Sequence, residues 1–199
     1  MTAALTIGQL VFTTFAAYAF ARLRFRGRDA LFWLYVATMM VPSAVTMIPL
    51  FLIMRELDVI NTWYGLLAPY ILGTPYGIFL MRQFFRALPG GLEEAARIDG
   101  AGPMTILVRI LLPLCRPALG TLAIITVISS WNSFLWPLII TSGDGTKVMT
   151  VALAGLKVGI GVDYNLMMAG GLIALVPMIA IFVFFQRYIV RSVVLTGLK

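Results

Sequence analysis

Residues 164–186 read YNLMMAGGLIALVPMIAIFVFFQ, a run without a single charged side chain. A helix that crosses the hydrocarbon core of a bilayer needs about 20 such residues. Because every backbone N–H and C=O must be paired there within the protein, the run reads as a helix and not as an open strand. Four more uncharged runs precede it, at 1–21, 30–54, 59–81 and 117–143. The expected fold is all-α: one polytopic membrane domain over residues 1–199, with five transmembrane helices joined by short connections.

Composition points the same way. The chain is 61% hydrophobic and 12% charged, with a mean hydropathy of +0.98, against roughly 25% charged residues in ordinary soluble domains. The formal charge of +7 would suggest nucleic acid if the cations shared a solvated face. They punctuate apolar runs instead, so no nucleic-acid partner is expected and lipid is. With one cysteine, Cys115, and no histidine, no internal disulfide can form and the usual zinc and catalytic-histidine sets are missing. No catalytic residue, metal or cofactor is expected.

Lys and Arg are retained on the cytoplasmic side of a membrane. Alternate loops place Arg22, Arg24, Arg26, Arg28, Arg82, Arg86, Arg97, Arg109, Arg116, Arg187, Arg191 and Lys199 on one side, and only Arg55, Lys147 and Lys157 on the other. The first side is therefore expected to be cytoplasmic, with the C-terminus inside and the N-terminus outside. A signal peptide is the rival reading of residues 1–21, but its positive charge would precede the apolar stretch, whereas here Arg22–Arg28 follow it. Trp33, Trp63 and Trp136 fall near span ends, where interfacial belts place tryptophan. The eight acidic residues, Asp29, Glu56, Asp58, Glu93, Glu94, Asp99, Asp144 and Asp163, all fall in expected loops. A proton-coupled carrier usually keeps an ionisable relay within the membrane, so this pattern argues for energy supplied from elsewhere.

The longest connection on the cytoplasmic side runs from Arg82 to Pro117, RQFFRALPGGLEEAARIDGAGPMTILVRILLPLCRP. Pro89-Gly90-Gly91 is a turn signal, Leu92–Asp99 favours a helix, Gly100 and Gly102-Pro103 break it, and Met104–Leu112 resumes an apolar helical pattern. A helix-turn-helix is expected over about 87–113. Leu92, Ala95, Ala96 and Asp99 share one face of its first helix, and Glu93 and Arg97 pair at i, i+4. A helix this short is marginal alone and has to rest against something: the membrane interface, or a groove on a partner.

Glu94-Ala95-Ala96, then Gly100 after three residues, then Ile110-Leu111-Leu112-Pro113 after nine more, match the EAA motif of permease subunits of binding-protein-dependent ABC importers. The resemblance extends over nearly the whole chain and narrows to the carbohydrate type, like the G component of the maltose transporter. Ala16–Arg22 with Phe25–Arg28, Ile48-Pro49-Leu50, Asn61-Thr62, Trp131-Asn132-Ser133-Phe134-Leu135-Trp136-Pro137-Leu138 and Gln186-Arg187-Tyr188 carry it. Members of that group have one more N-terminal span, so the chain is expected to be N-terminally shortened, and Ser192 stands where they generally have glycine.

The resemblance implies a non-catalytic permease of the bacterial plasma membrane that imports a sugar or sugar derivative. It implies cytoplasmic ATPase subunits, a second homologous permease and an extracytoplasmic solute-binding protein as partners. Glu94, Ala95, Ala96, Asp99, Gly100, Ile110 and Pro113 would couple the chain to the ATPase. The loop 141–163 would face the binding protein. Trp131 and Asn132, with Ser129 and Ser130 beside them, are candidate substrate-pathway residues because polar groups within a span are functional candidates. A permease for a non-sugar solute and a passive channel or secondary carrier are the alternatives.

Overall fold

The computed structural model describes residues 1–156 and 164–196. Lys157, Asp163 and Lys199, and with them the end of the expected outer loop, lie outside the described residues. Every described regular element is a helix: α1 (Thr2–Arg22), α2 (Arg28–Ala37), α3 (Ser43–Glu56), α4 (Trp63–Ile71), α5 (Pro75–Ala87), α6 (Gly91–Ile98), α7 (Pro103–Leu114), α8 (Arg116–Trp131), α9 (Leu135–Ile140), α10 (Met149–Gly155) and α11 (Tyr164–Thr196). Three stretches are long and apolar enough to cross a membrane: α1, α4 with α5 over Trp63–Ala87, and Tyr164–Phe184. Two bent pairs, α2 with α3 and α7 with α8, bring the number to five if each counts as one span.

The bends correct the expected span limits. Residues 30–54 are not one kinked rod, because Arg28–Met40 and Ser43–Glu56 meet at 103°. Val41, just before Pro42, is extended at φ −83°, ψ 119°, as clash with a following proline ring dictates. The span expected at 59–81 begins instead at Trp63, where the Thr62 hydroxyl caps the Gly65 N–H at 3.2 Å, and runs on to Ala87. It is interrupted at 72–74 by Gly73, with φ +102°, and restarts with Thr74 capping Gly77 at 3.2 Å. Arg82 and Arg86 therefore lie on a helix and not in a loop. The span expected at 117–143 stops at Trp131, and Asn132–Phe134 separate α8 from α9.

α1 is the central helix, packed against α4, α5 and α8, while α11 packs on α8. Water drives little of this association within lipid, so close approach at small residues has to supply it. A methyl group on Gly8 would clash with the Ile71 side chain, and one on Gly77 would lie 3.1 Å from Leu122 Cδ1. The main core gathers Ala17, Tyr18, Phe32, Met81, Phe85, Ile106 and Leu111. A smaller one joins Met54, Leu66, Trp136 and Ile140. Trp33 and Trp63 are exposed as an interfacial belt requires, but Trp136 is buried and donates its indole N–H to Gly65 O at 3.2 Å.

Gly73 and Gly27 both have positive φ, yet a Cβ on Gly73 would meet Thr13 Oγ1 at 2.6 Å while one on Gly27 meets nothing within 4 Å. Gly73→Ala is expected to lower stability by about 2–3 kcal/mol and Gly27→Ala by about 1 kcal/mol, read as thermal midpoints of the purified chain in detergent. Equal losses would show that backbone strain alone, and not the α1 contact, requires Gly73.

Candidate functional site

The helix-turn-helix forms as the sequence spacing requires. α6 ends in a Schellman closure: Ala101 N–H donates to Ala96 O at 2.8 Å and Gly100 N–H to Arg97 O at 3.0 Å. This geometry demands a left-handed residue at the position after the cap, and Gly100 has φ +80°. The distance from the Ala95-Ala96 pair to the glycine is thus the length of one capped helical turn. Gly102-Pro103 opens α7, with proline at its first position, where a missing N–H costs nothing. A π-type turn over Ile106–Leu111 precedes Leu112-Pro113, and the chain bends by 81° into α8.

The side chains sort differently from the expected face. Glu93 and Ala96 turn inward and are buried, whereas Leu92, Glu94, Ala95 and Asp99 stay exposed and Ile98 is 87% exposed. Ala96 belongs to the main core, so it seats α6 on its own chain and leaves Ala95 to face outward. Ile110 packs at the edge of that core, and Pro113 is exposed on α7. The seven expected coupling residues therefore do not form one patch: Glu94, Ala95, Asp99 and Gly100 share the exposed surface of α6 and its turn, Ala96 and Ile110 pack into or against the core, and Pro113 is exposed on α7.

Glu93 is the anchor. Its Oε1 lies 2.8 Å from Arg22 Nε and its Oε2 3.5 Å from Arg97 Nη2. The Arg22 contact is electrostatic, since neither Nε nor Oε1 meets hydrogen-bond geometry. Arg22 Nη2 donates to Phe85 O at 2.6 Å and Leu88 O at 2.7 Å, capping the end of α5. The pairing of Glu93 with Arg97 is visible in the sequence; that with Arg22, at the far end of α1, is not. A second buried guanidinium braces the same end: Arg82 Nη2 lies 2.9 Å from Asp29 Oδ1, its Nε donates to Phe20 O at 3.2 Å, and it stacks 3.8 Å from the centre of the Phe32 ring.

At the opposite ends of α1, α5 and α8 lies a cavity of about 680 Å³. Asn132 lines it, as do Ser129 and Ser130; the Asn132 amide donates to Ile128 O at 2.8 Å. Trp131 is not part of the lining, and its indole N–H donates to Ala174 O at 3.1 Å, joining α8 to α11. Sequence reasoning missed Gln9, Tyr70 and Thr126. The Gln9 amide donates to Tyr70 O at 2.9 Å and its oxygen accepts from the Thr126 hydroxyl at 3.3 Å. Gln9 was findable as the lone amide in the uncharged first span. Among the described residues no cluster of His, Cys, Asp or Glu could hold a metal.

Removing one partner of a buried pair leaves an uncompensated charge, at a cost of about 3–5 kcal/mol. Glu93→Ala is expected to destabilise the chain by about 3 kcal/mol, and Glu94→Ala by under about 0.5 kcal/mol, measured by thermal unfolding in detergent. Similar losses in the two variants would deny Glu93 its anchoring part.

Residues 9–195 match the family model described as binding-protein-dependent transport system inner membrane component. The arabinooligosaccharides transport system permease protein of Halalkalibacterium halodurans is 36% identical over 190 residues, covering 96% of this chain and 68% of that protein. The sn-glycerol-3-phosphate transport system permease protein of Yersinia enterocolitica is 37% identical over 199 residues, covering 98% and 69%. Among solved structures, a chain of a bacterial ABC transporter involved in the import of the acidic polysaccharide alginate superposes with a TM-score of 0.83 at 29% identity, over 94% of this chain and 71% of that one. A helix-turn-helix closed at Gly100, set on bent membrane helices, is thus accompanied by likeness along almost the whole sequence, and the chain belongs to the family of binding-protein-dependent transport system inner membrane components.

Proposed function

We propose that this chain is the non-catalytic permease subunit of an ATP-driven importer for a sugar or sugar derivative, with α6 and its Gly100 turn seated in a groove of a cytoplasmic ATPase subunit. A second homologous permease completes the pathway, and an extracytoplasmic solute-binding protein delivers the substrate, facing the loop that follows α9. The observation that carries the reading is the two-sided character of α6. One side is tied into the chain by Glu93 and Ala96, and the other presents Leu92, Ala95 and Ile98 to the outside. An isoleucine 87% exposed on a helix tied to its own chain supports a partner at this surface. Glu94 and Asp99 border it with negative charge and Ala95 permits close approach.

The ends of the helices support the orientation. Arg22, Arg24, Arg26, Arg28, Arg82, Arg86, Arg97, Arg109 and Arg116 fall on the side of α6 in the alternation of spans, which supports a cytoplasmic position for that end and an internal C-terminus in a bacterial plasma membrane. The sugar assignment draws on the likeness to the arabinooligosaccharide and glycerol-phosphate permeases.

Gly100→Pro removes both the left-handed closure and its N–H donor; Glu94→Lys and Ile98→Glu alter only the exposed face. Each is expected to cut ATP-dependent uptake by more than about tenfold, the loss of one interface hot spot, while the chain remains in the membrane at normal abundance. ATPase co-purification with the tagged chain should fall in parallel. Undiminished uptake in Glu94→Lys and Ile98→Glu would remove α6 as the docking element.

A further inference from the structure

The junction of α1 and α2 carries four arginines in seven residues, Arg22, Arg24, Arg26 and Arg28, and the nearest acidic residue in sequence is Asp29. That carboxylate is already shared. Its Oδ2 lies 3.1 Å from Arg28 Nη2 and its Oδ1 2.9 Å from Nη2 of the buried Arg82. Arg22 is committed to Glu93 and to the end of α5. Arg24 and Arg26 are exposed and enter no ion pair among the described residues. Arg86, one turn beyond Arg82 on α5, is exposed as well. Two guanidiniums on one carboxylate leave a positive surplus, and the neighbouring arginines add to it.

The surplus surrounds a concavity. Arg24, Phe25, Gly27, Arg28, Asp29 and Ala30 line a space of about 440 Å³. Gly27 turns the chain there with φ +80°, and no side chain caps the start of α2, so first-turn N–H groups of that helix are left for an acceptor from outside. Beyond the turn, Leu31 and Leu34 follow Arg28 at three-residue steps. Both are exposed, as are Phe25 and Trp33, while Phe32 turns into the core. Cations at the margin of an exposed apolar face, with a tryptophan beside them, match the headgroup layer of a membrane.

We infer that this concavity binds the phosphate of an anionic phospholipid, whose acyl chains lie along the Leu31 and Leu34 side of α2. Basic pockets beside membrane helices recognise such head groups by charge, and the guanidinium fork matches phosphate oxygens in pairs. The site draws on the membrane placement of the family alone, and on neither the ATPase nor the sugar. A free phosphate would meet the same cations but leave Phe25, Leu31 and Trp33 uncovered. α2 runs on from the loop as one arm of a bent span, so the apolar face beyond the arginines is within reach of acyl chains and not of a cytoplasmic protein.

The test is native mass spectrometry of the purified full chain, titrated with dioleoylphosphatidylglycerol or with dioleoylphosphatidylcholine. The anionic lipid is expected to be held about tenfold more tightly than the zwitterionic one. Arg24→Gln should weaken it about fivefold, the contribution of one cation at a membrane surface. Arg109→Gln, which removes an exposed cation of α7 outside the concavity, should leave it unchanged. Ala30→Glu, at an exposed lining position, should abolish the preference for the anionic lipid while the thermal midpoint in phosphatidylcholine stays the same. Equal losses in Arg24→Gln and Arg109→Gln would reduce the effect to diffuse surface charge and overturn the site. Displacement of the lipid by millimolar inorganic phosphate would overturn it in favour of a free-anion site. Unaltered lipid binding in Arg24→Gln together with loss of a co-purifying protein would overturn it in favour of a protein interface. None of these outcomes bears on the importer reading.

Discussion

One guanidinium holds the motif-bearing end together. Arg22 ends α1, caps the carbonyls of Phe85 and Leu88 at the end of α5, and neutralises Glu93 on α6. Each contact answers a need that the others create. The last carbonyls of α5 have no partner within their own helix, and a carboxylate as buried as Glu93 needs a cation. α6 is too short to be stable alone, so it takes its place from this pair and from Ala96. Because a buried charge stripped of its partner costs several kcal/mol, α6 cannot shift relative to α1 and α5 without carrying them along. The pairing of Arg82 with Asp29 joins α2 to the same unit.

The rest of the molecule shows how broken helices survive in a membrane setting. Where α4 and α5 start, an acceptor or a conformation accounts for the free backbone groups: the Thr62 and Thr74 hydroxyls cap the two helices, and Gly73 supplies the reversed φ. Asn61, itself left-handed at φ +57°, accepts from Gly143 N–H at 3.1 Å and the Thr146 hydroxyl at 2.8 Å, closing the segment after α9 against the start of α4. Proline alone does not decide where a break falls. Pro49, Pro69 and Pro177 sit inside helices, whereas Pro42 ends one.

That contrast explains what could be read from sequence. The uncharged runs gave the all-helical membrane architecture, since length and polarity alone settle it, and the turn chemistry of Gly100 and Gly102-Pro103 gave the helix-turn-helix. The limits of the spans at 30–54, 59–81 and 117–143 were not legible, because hydropathy does not register a glycine with φ +102° or an extended residue ahead of proline when the neighbours are equally apolar. Which side of α6 seats on the chain itself was not legible for a related reason: on two turns of helix, Leu92-Ala95-Ala96-Asp99 and Glu93-Ala96 are both admissible stripes. Arg22 chose between them, and it lies too far away in sequence to be seen. Trp131 was singled out and proved to bridge α8 to α11, while Gln9, a single amide in an apolar run, carried no periodic signal at all.

The two ends of the molecule are chemically unlike, and the same helices bear both. α1 carries Gln9 at the cavity and Arg22 at the α6 anchor, about 20 Å apart at 1.5 Å per residue. α5 starts at the cavity with Tyr76 and ends under Arg22 at Phe85, and α8 leads from the bend at Arg116 to Ser129 and Ser130. Close contacts at Gly8, Gly73 and Gly77 keep these helices in register, and packed interiors resist continuous deformation. A displacement imposed on α6 is therefore delivered to the cavity as the tilt of whole helices, and the interruptions at 41–42, 72–74 and 132–134 are where such a tilt can be absorbed. Ser43, Thr74, Asn132 and Ser133 sit at those interruptions and line the cavity, so the cavity wall and the breaks in the helices are the same segments.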